Sequence, residues 1–157
     1  MIRISEIAAR YPRLFLSHLP FGVECGDGWA DIIYAFFATV EEVVAAEGGT
    51  FHLLQIKEKL GALRIYFRTT EIPNRGVAAI DRAYGLAEAR SFHICEHCGR
   101  RGCLTYNGMM YATRCGEHAE ELESQPVLPT PRITIVTAAR AVLYDPDADP
   151  FVAMRSI

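Results

Sequence analysis

The stretch that decides the fold is HICEHCGRRGCLTYNGMMYATRCGEH, residues 93–118. It holds two pairs of metal-ligating side chains at the same internal spacing, Cys95-x2-Cys98 and Cys115-x2-His118, with sixteen residues between the pairs. Two intervening residues let both side chains of a pair reach one ion, and zinc is commonly held by four such ligands in a tetrahedron. The spacing therefore predicts one structural Zn²⁺ per chain, bound by Cys95, Cys98, Cys115 and His118.

The segment between the two pairs predicts a β-hairpin. Asn107-Gly108 is the dipeptide most typical of a tight turn, and it lies between two short runs suited to strands. The pairs and the hairpin together predict a zinc-ribbon-like module over residues 93–122. The role of Cys103 stays open, because this thiol could replace Cys98 or His118 as a ligand or remain free. His93 and His97 are expected to face solvent.

An amphipathic helix before this module predicts the main core. Its apolar side chains recur at intervals of three and four residues, which places them on one helical face. We expect Asp27 to cap its first turn and Gly48-Gly49 to end it. The apolar positions are Trp29, Ile32, Ile33, Phe36, Phe37, Val40, Val43 and Val44.

Residues 51–70 alternate between apolar and polar side chains, which predicts a β-hairpin turning at Leu60-Gly61-Ala62. The inward positions are Leu54, Ile56, Leu63, Ile65 and Phe67, and the outward ones are Lys57, Lys59, Arg64, Tyr66 and Arg68. A second helix is expected from Pro73-Asn74 to Ser91, with Val77, Ile80, Tyr84 and Ala87 on one side. Short strands are expected at residues 132–136 and 141–144.

These elements predict an α+β fold, with helices packed on a small antiparallel sheet or hairpin and a zinc-ribbon-like module. We divide the chain into an α+β core (residues 1–92), the module (93–122) and a C-terminal extension with short strands (123–157), together forming one compact unit. Phe151, Val152 and Met154 in the extension are expected to offer an apolar patch to a protein partner.

Composition limits the protein class. Half of the 157 residues are hydrophobic, which is too many for a disordered chain, and no repeat indicates a fibrous one. The N-terminus lacks a signal-peptide pattern and no apolar run is long enough to span a bilayer, so we expect a cytoplasmic protein without a membrane partner. In that reducing compartment the five cysteines favour metal binding over disulfides.

The net charge of −3 conceals a basic middle. Residues 52–114 carry a charge of +5, while the segments on either side carry −4 each. The outward hairpin residues Lys57, Lys59, Arg64, Tyr66 and Arg68, together with Arg100 and Arg101, are therefore candidates for binding nucleic acid or another partner. The alternative is a solvated strand face, with Arg100, Arg101 and Arg114 partly offsetting the charge of the metal centre.

The sequence supports a catalytic function less well than a binding function. Near a helix start lie Glu24, Cys25, Asp27 and Asp31, where a thiol nucleophile or a Mg²⁺ site would make a small thiol enzyme or nuclease. The chain has no phosphate-binding loop, serine nucleophile motif or His-Glu-x-x-His motif. We therefore expect no catalytic residues.

Three blocks occur in order: Gly26-Asp27-Gly28-Trp29, residues 57–66 (KEKLGALRIY), and the CxxCG and CxxH segments of the predicted zinc module. In this combination the chain resembles a family of small uncharacterised phage and prophage proteins over residues 12–120. The resemblance implies a phage-type accessory protein in the host cytoplasm that binds and modulates a host macromolecule, as a host-takeover, counter-defence or inhibitor protein. Its partner would be a host protein or protein–nucleic-acid complex. The alternative is a regulatory protein that binds nucleic acid directly.

Overall fold

The computed structural model describes residues 2–15, 19 and 22–155, and within them the fold is α+β as predicted. In chain order the elements are α1 (Ile4–Arg10), β1 (Val23–Glu24), a 3₁₀ turn (Asp27–Trp29), α2 (Ala30–Glu47), β2 (Thr50–Lys59), β3 (Ala62–Thr70), α3 (Asn74–Ser91), β4 (Cys103–Tyr106), β5 (Tyr111–Arg114), α4 (Gly116–Glu121), β6 (Gln125–Pro126), β7 (Thr134–Val136), β8 (Ala141–Leu143) and α5 (Pro150–Ala153). None of the helices in the described ranges has the length and apolarity needed to cross a bilayer.

Helix α2 is the central element of the core, as its apolar periodicity predicts. One face is fully or almost fully buried, formed by Ile32, Ile33, Phe36, Phe37 and Val40. The predicted cap is wrong: Asp27 lies in the 3₁₀ turn, and its carboxylate instead accepts a hydrogen bond from the backbone N–H of Ile4 at 3.0 Å. Asp27 therefore joins the N-terminal helix α1 to the start of α2.

Strands β2 and β3 form the predicted antiparallel hairpin, and β1 adds to the free edge of β2 in parallel. The register shifts between Leu53 and Gln55. Because this bulge inserts a residue, Phe51 and Leu53 are buried and Leu54 is only half-buried, contrary to the prediction for Leu54. Ala62 already belongs to β3, so the turn comprises two residues rather than three.

Helix α3 has the predicted limits and packs against α2 and β3. Ile80 and Ala87 are buried, as expected. Tyr84 is half-buried, and its ring meets the rings of Phe36 and Phe67 edge to face at 6.5 and 6.0 Å. These contacts close the aromatic part of the core between the two long helices and the hairpin.

The two short strands predicted in the C-terminal segment pair as the β7–β8 hairpin, and the chain then returns to the core. Val152 in α5 is completely buried, so the predicted partner-binding patch is wrong at this residue. Asp149 caps α5 and forms a two-point ion pair with Arg90 of α3 at 2.7 and 3.1 Å. The last described residues therefore help to hold the core together.

Candidate metal centre

The four predicted ligands meet in one cluster. Their ligand atoms all lie within 4.8 Å of one another, and none of the five cysteines forms a disulfide. Cys98 Sγ lies 3.7 Å from Cys115 Sγ, and Cys95 Sγ lies 3.6 Å from His118 Nδ1. A tetrahedral site with metal–sulfur bonds of about 2.3 Å has sulfur–sulfur edges of about 3.8 Å. Cys95, Cys98, Cys115 and His118 could therefore bind one metal ion.

Two short loops bring the ligands together. The first knuckle, residues 95–99, is closed by hydrogen bonds from Cys95 N to Arg100 O at 2.8 Å and from Gly99 N to Cys95 O at 2.9 Å. The second knuckle, residues 115–118, follows β5 and runs into the first turn of α4. The β4–β5 hairpin connects the two knuckles, which is the arrangement predicted from the ligand spacing.

The other cysteine and histidines of this region lie outside the cluster. Cys103 begins β4 opposite Arg114 and is not among the converging ligand atoms. His97 is exposed, as expected, with its ring centroid 4.2 Å from that of His118. His93 is half-buried rather than solvent-facing. Burial, followed by the charge of Arg101, lowers its pKa.

The first knuckle packs against a loop for which the sequence predicts only a helix cap and a core residue. We call residues 26–29 the knuckle-contact loop. Gly28 N donates to Glu96 O at 2.8 Å, Gly26 N donates to a carboxylate oxygen of Glu96 at 3.0 Å, and Trp29 Nε1 donates to Ile94 O at 2.8 Å. In the sequence, this contact between the loop and the knuckle is indicated only by the two glycines that flank Asp27, because a close approach of two backbones requires a residue without a side chain.

Gly28 shows how close this approach is. A Cβ atom at this position would lie 2.2 Å from Cys95 O and 2.4 Å from Glu96 O. Both are backbone atoms, which cannot move aside as a flexible side chain could. Position 28 of the knuckle-contact loop therefore has no room for a side chain, and it lies against the backbone carbonyl of Cys95, one of the four residues that could bind a metal ion.

Arg100 places positive charge beside the sulfur ligands. Its guanidinium lies 3.4 Å from Cys98 Sγ and 3.6 Å from Cys115 Sγ, and it also pairs with Glu117. Burial acts most strongly and would raise the pKa of Cys98, but hydrogen bonds with Arg100, Cys95 and Cys115 together outweigh it, and the pKa lies below its ordinary value. Burial raises the pKa of Cys95 to about 11. Arg100 therefore favours the thiolate form that a metal requires.

Ion pairs neutralise arginines in the predicted basic surface. Arg64 pairs with Glu88 at 2.5 Å, and Arg101 pairs with Asp147 at 2.5 Å. The other three outward cations of the hairpin, Lys57, Lys59 and Arg68, form no ion pair within the described ranges. The fifth outward residue is the uncharged Tyr66. Lys57 Nζ lies 5.9 Å from the centroid of the Tyr66 ring. Three cations and an aromatic ring thus remain on the outer face of the β2–β3 hairpin.

The region around Cys25 lacks the features of an activated thiol. Burial, followed by the charges of Glu96 and Asp27, raises the pKa of Cys25 to about 12, so the thiol is protonated at neutral pH. Asp31 forms an ion pair with Arg155, with 2.9 Å between its carboxylate oxygen and the guanidinium nitrogen. Within the described residues, the carboxylates near Cys25 do not converge into a metal-binding group.

Arg155 ties the first knuckle to the core from the C-terminal side. Besides pairing with Asp31, it donates to Gly99 O at 2.7 Å, and its guanidinium lies 4.7 Å from the Phe151 ring centroid. The first knuckle is thus held by the knuckle-contact loop and by the segment after α5. No protein-family model, curated protein or solved structure matches this chain.

Proposed function

We propose that Cys95, Cys98, Cys115 and His118 bind one structural Zn²⁺. Three sulfur ligands and one imidazole suit zinc, which takes soft and borderline ligands in a tetrahedron without a redox change. Four protein ligands complete that tetrahedron and leave no position for a substrate or an activated water. The ion would supply stability by joining the two knuckles, and the negative charge of the complete centre would be offset by Arg100.

The metal content can be tested with a matched pair of cysteine variants. Native mass spectrometry of the wild type should show one zinc ion per chain. Cys115→Ser should abolish tight binding, whereas Cys103→Ser should retain one ion because Cys103 lies outside the cluster. Equal zinc content in the two variants would contradict the ligand assignment.

We further propose that the protein acts by binding another macromolecule rather than by catalysis. The observation that carries this proposal is the complete ligand set, because a closed four-ligand site serves structure. The protonated Cys25 thiol supports the same conclusion, and so do the hairpin cations Lys57, Lys59 and Arg68, which form no ion pair within the described residues. In keeping with the sequence resemblance, we propose a phage-type accessory protein with a host protein or protein–nucleic-acid complex as its partner.

Affinity capture from host lysate tests the kind of partner. The tagged full-length protein is used at moderate salt, with and without nuclease treatment. Recovery of one discrete protein that survives nuclease, and that does not bind the zinc-free Cys115→Ser variant, would support the proposal. Recovery of nucleic acid alone would refute protein binding in favour of the second candidate below.

The second candidate is direct nucleic-acid binding by the outer face of the β2–β3 hairpin. Three cations of this face form no ion pair within the described residues and lie on the same face as an exposed aromatic ring; they are Lys57, Lys59 and Arg68, with Tyr66. The cations can contact phosphates and the ring can stack on a base. If both lysines contact phosphates, Lys57→Gln/Lys59→Gln should reduce the slope of log affinity against log salt by about 2. Arg82→Gln removes an exposed charge on α3 and serves as the control. Equal slopes for these two variants would exclude the hairpin as the binding face.

A further inference from the structure

The chain that follows the β7–β8 hairpin lies against the first knuckle. We call residues 147–155, which contain α5, the C-terminal strap. At one end of the strap, Asp147 pairs with Arg101, two residues after the knuckle, at 2.5 Å. At the other end, Arg155 donates to Gly99 O within the knuckle at 2.7 Å. Both ends of the strap therefore contact the first knuckle or the residues that immediately follow it.

Arg155 joins three parts of the molecule through one guanidinium. Each of its three nitrogens donates to a different acceptor: Gly99 O in the knuckle, the Asp31 carboxylate at the start of α2 at 2.9 Å, and Phe151 O in the strap at 3.1 Å. A guanidinium holds its donors in a fixed plane, so it satisfies all three acceptors only while knuckle, helix and strap keep their relative positions. A Cβ atom on Gly99 would lie 3.1 Å from Gly28 O and 3.4 Å from Arg155 Nη1. The knuckle is thus packed closely between the knuckle-contact loop and Arg155.

The strap has little stability of its own. Helix α5 contains four residues, far fewer than an isolated helix needs in water. The middle of the strap is attached to the core, because Asp149 pairs with Arg90 and Val152 is completely buried. Its ends are attached through Asp147 and Arg155, and the contact of Arg155 depends on where the knuckle lies. The order of the last turn therefore depends on the first knuckle.

We propose that a zinc ion in the metal centre and the end of the C-terminal strap stabilise each other, with Arg155 as the positioning residue that connects them. This inference rests on the proposed zinc site. The ion would join the two knuckles and so fix Gly99 O in front of Arg155. The docked guanidinium in turn fixes the knuckle that carries Cys95 and Cys98. Because coupling between two equilibria is reciprocal, each strengthens the other by the same factor.

The strap is thus a conformational device that carries the state of the metal centre to the C-terminal residues. With zinc bound, the last turn of the strap is docked on the knuckle. Without zinc, the knuckle loosens, Arg155 loses an acceptor and the last turn becomes mobile, while Asp149 and Val152 keep the middle of the strap on the core.

Zinc affinity measured by chelator competition tests one direction of this coupling. Arg155→Gln should retain one zinc ion per chain but bind it about tenfold more weakly, because outer groups that position metal ligands contribute at least this much. Arg155→Lys keeps the charge and one donor group and should restore part of the affinity. Arg75→Gln is the matched control, since Arg75 pairs with Glu47 at the opposite end of α2 at 2.7 Å. Its zinc affinity should equal that of the wild type.

Backbone ¹⁵N relaxation of the full chain tests the other direction. In the zinc-loaded wild type, the amides of Met154 and Arg155 should have order parameters of about 0.85, as in rigid backbone. Removal of zinc with a chelator should lower them below about 0.6, while the amide of Phe37 in the middle of α2 stays rigid. Zinc-loaded Arg155→Gln should show the same mobile end at Met154.

Three outcomes would overturn the proposal. Equal zinc affinity in Arg155→Gln and Arg75→Gln would show that the strap does not support the metal centre. Order parameters at Met154 that stay unchanged on chelation, or that fall together with that of Phe37, would show that zinc does not act on the strap in particular. A wild type that binds no zinc would overturn the metal site as well, and the zinc content of each sample distinguishes this failure from the other two.

Discussion

Replacing Gly28 by alanine should destabilise the whole domain through the first knuckle. The added Cβ would lie 2.2 Å from the carbonyl oxygen of Cys95, so the knuckle or the knuckle-contact loop must move. Overpacking of this kind costs about 1–3 kcal/mol. Loss of the 2.8 Å hydrogen bond from Gly28 N to Glu96 O adds about 1 kcal/mol. We therefore expect the free energy of unfolding to fall by about 2–4 kcal/mol.

The same change should also weaken binding of the proposed zinc ion. Because Cys95 is one of the four converging ligands, its displacement should lower zinc affinity by about 10–100-fold, the range found for groups that position metal ligands. Unfolding in urea gives the stability, and competition with a chromophoric chelator gives the affinity.

Gly116→Ala provides the control for this variant. Gly116 lies between two ligands of the second knuckle, but a Cβ there would meet no heavy atom within 4 Å. Its free energy of unfolding should stay within about 0.5 kcal/mol of the wild type. If Gly28→Ala matched Gly116→Ala in both stability and zinc affinity, the reasoning that the knuckle-contact loop supports the metal centre would be refuted.

Three further results are expected. Removing the proposed zinc with a chelator should shift the fluorescence of Trp29 to longer wavelength, because loosening of the first knuckle, which holds Ile94 against the indole, would expose this buried ring to water; unchanged emission would contradict this coupling. Burial acts most strongly on Asp149 and would raise its pKa, but hydrogen bonds from Arg90, Tyr144 and the backbone N–H of Phe151, with the charge of Arg90, together outweigh it, and the pKa lies below its ordinary value. Stability from this pair is therefore present above about pH 4 and lost as the pH falls further, whereas Asp149→Asn should lack that component in urea midpoints measured across pH; parallel profiles would argue against it. Leu60→Asn should raise the free energy of unfolding by about 1 kcal/mol in thermal denaturation, and a decrease would contradict the positive φ at this turn.

Much of the local structure could be predicted because its signals lie within a few residues. The apolar periodicity of residues 29–44 predicted α2, and the alternation in residues 51–70 predicted the β2–β3 hairpin. Leu54 is the exception. The register shift between Leu53 and Gln55 interrupts the alternation, so that Leu53 is buried and Leu54 is half-buried, and no local pattern distinguished that bulge from a regular strand.

The ligand set was also predictable, whereas its surroundings were not. Two x2 pairs identify Cys95, Cys98, Cys115 and His118 because the reach of a side chain limits the spacing within each pair. The same reasoning left Cys103 open, and only its place at the start of β4 puts it outside the cluster. The macromolecular partner and the phage setting stay predictions, which affinity capture tests.

The sequence by itself determined the two long helices α2 and α3, the two principal hairpins and the residues able to bind a metal, because each depends on neighbours in the chain. Tertiary structure alone decided that Gly28 packs against the knuckle that contains Cys95 and that Val152 belongs to the core. It also decided that Arg64 forms an ion pair with Glu88. These contacts join residues far apart in sequence. They depend on how complete elements pack together, and periodicity and spacing carry no information about such packing.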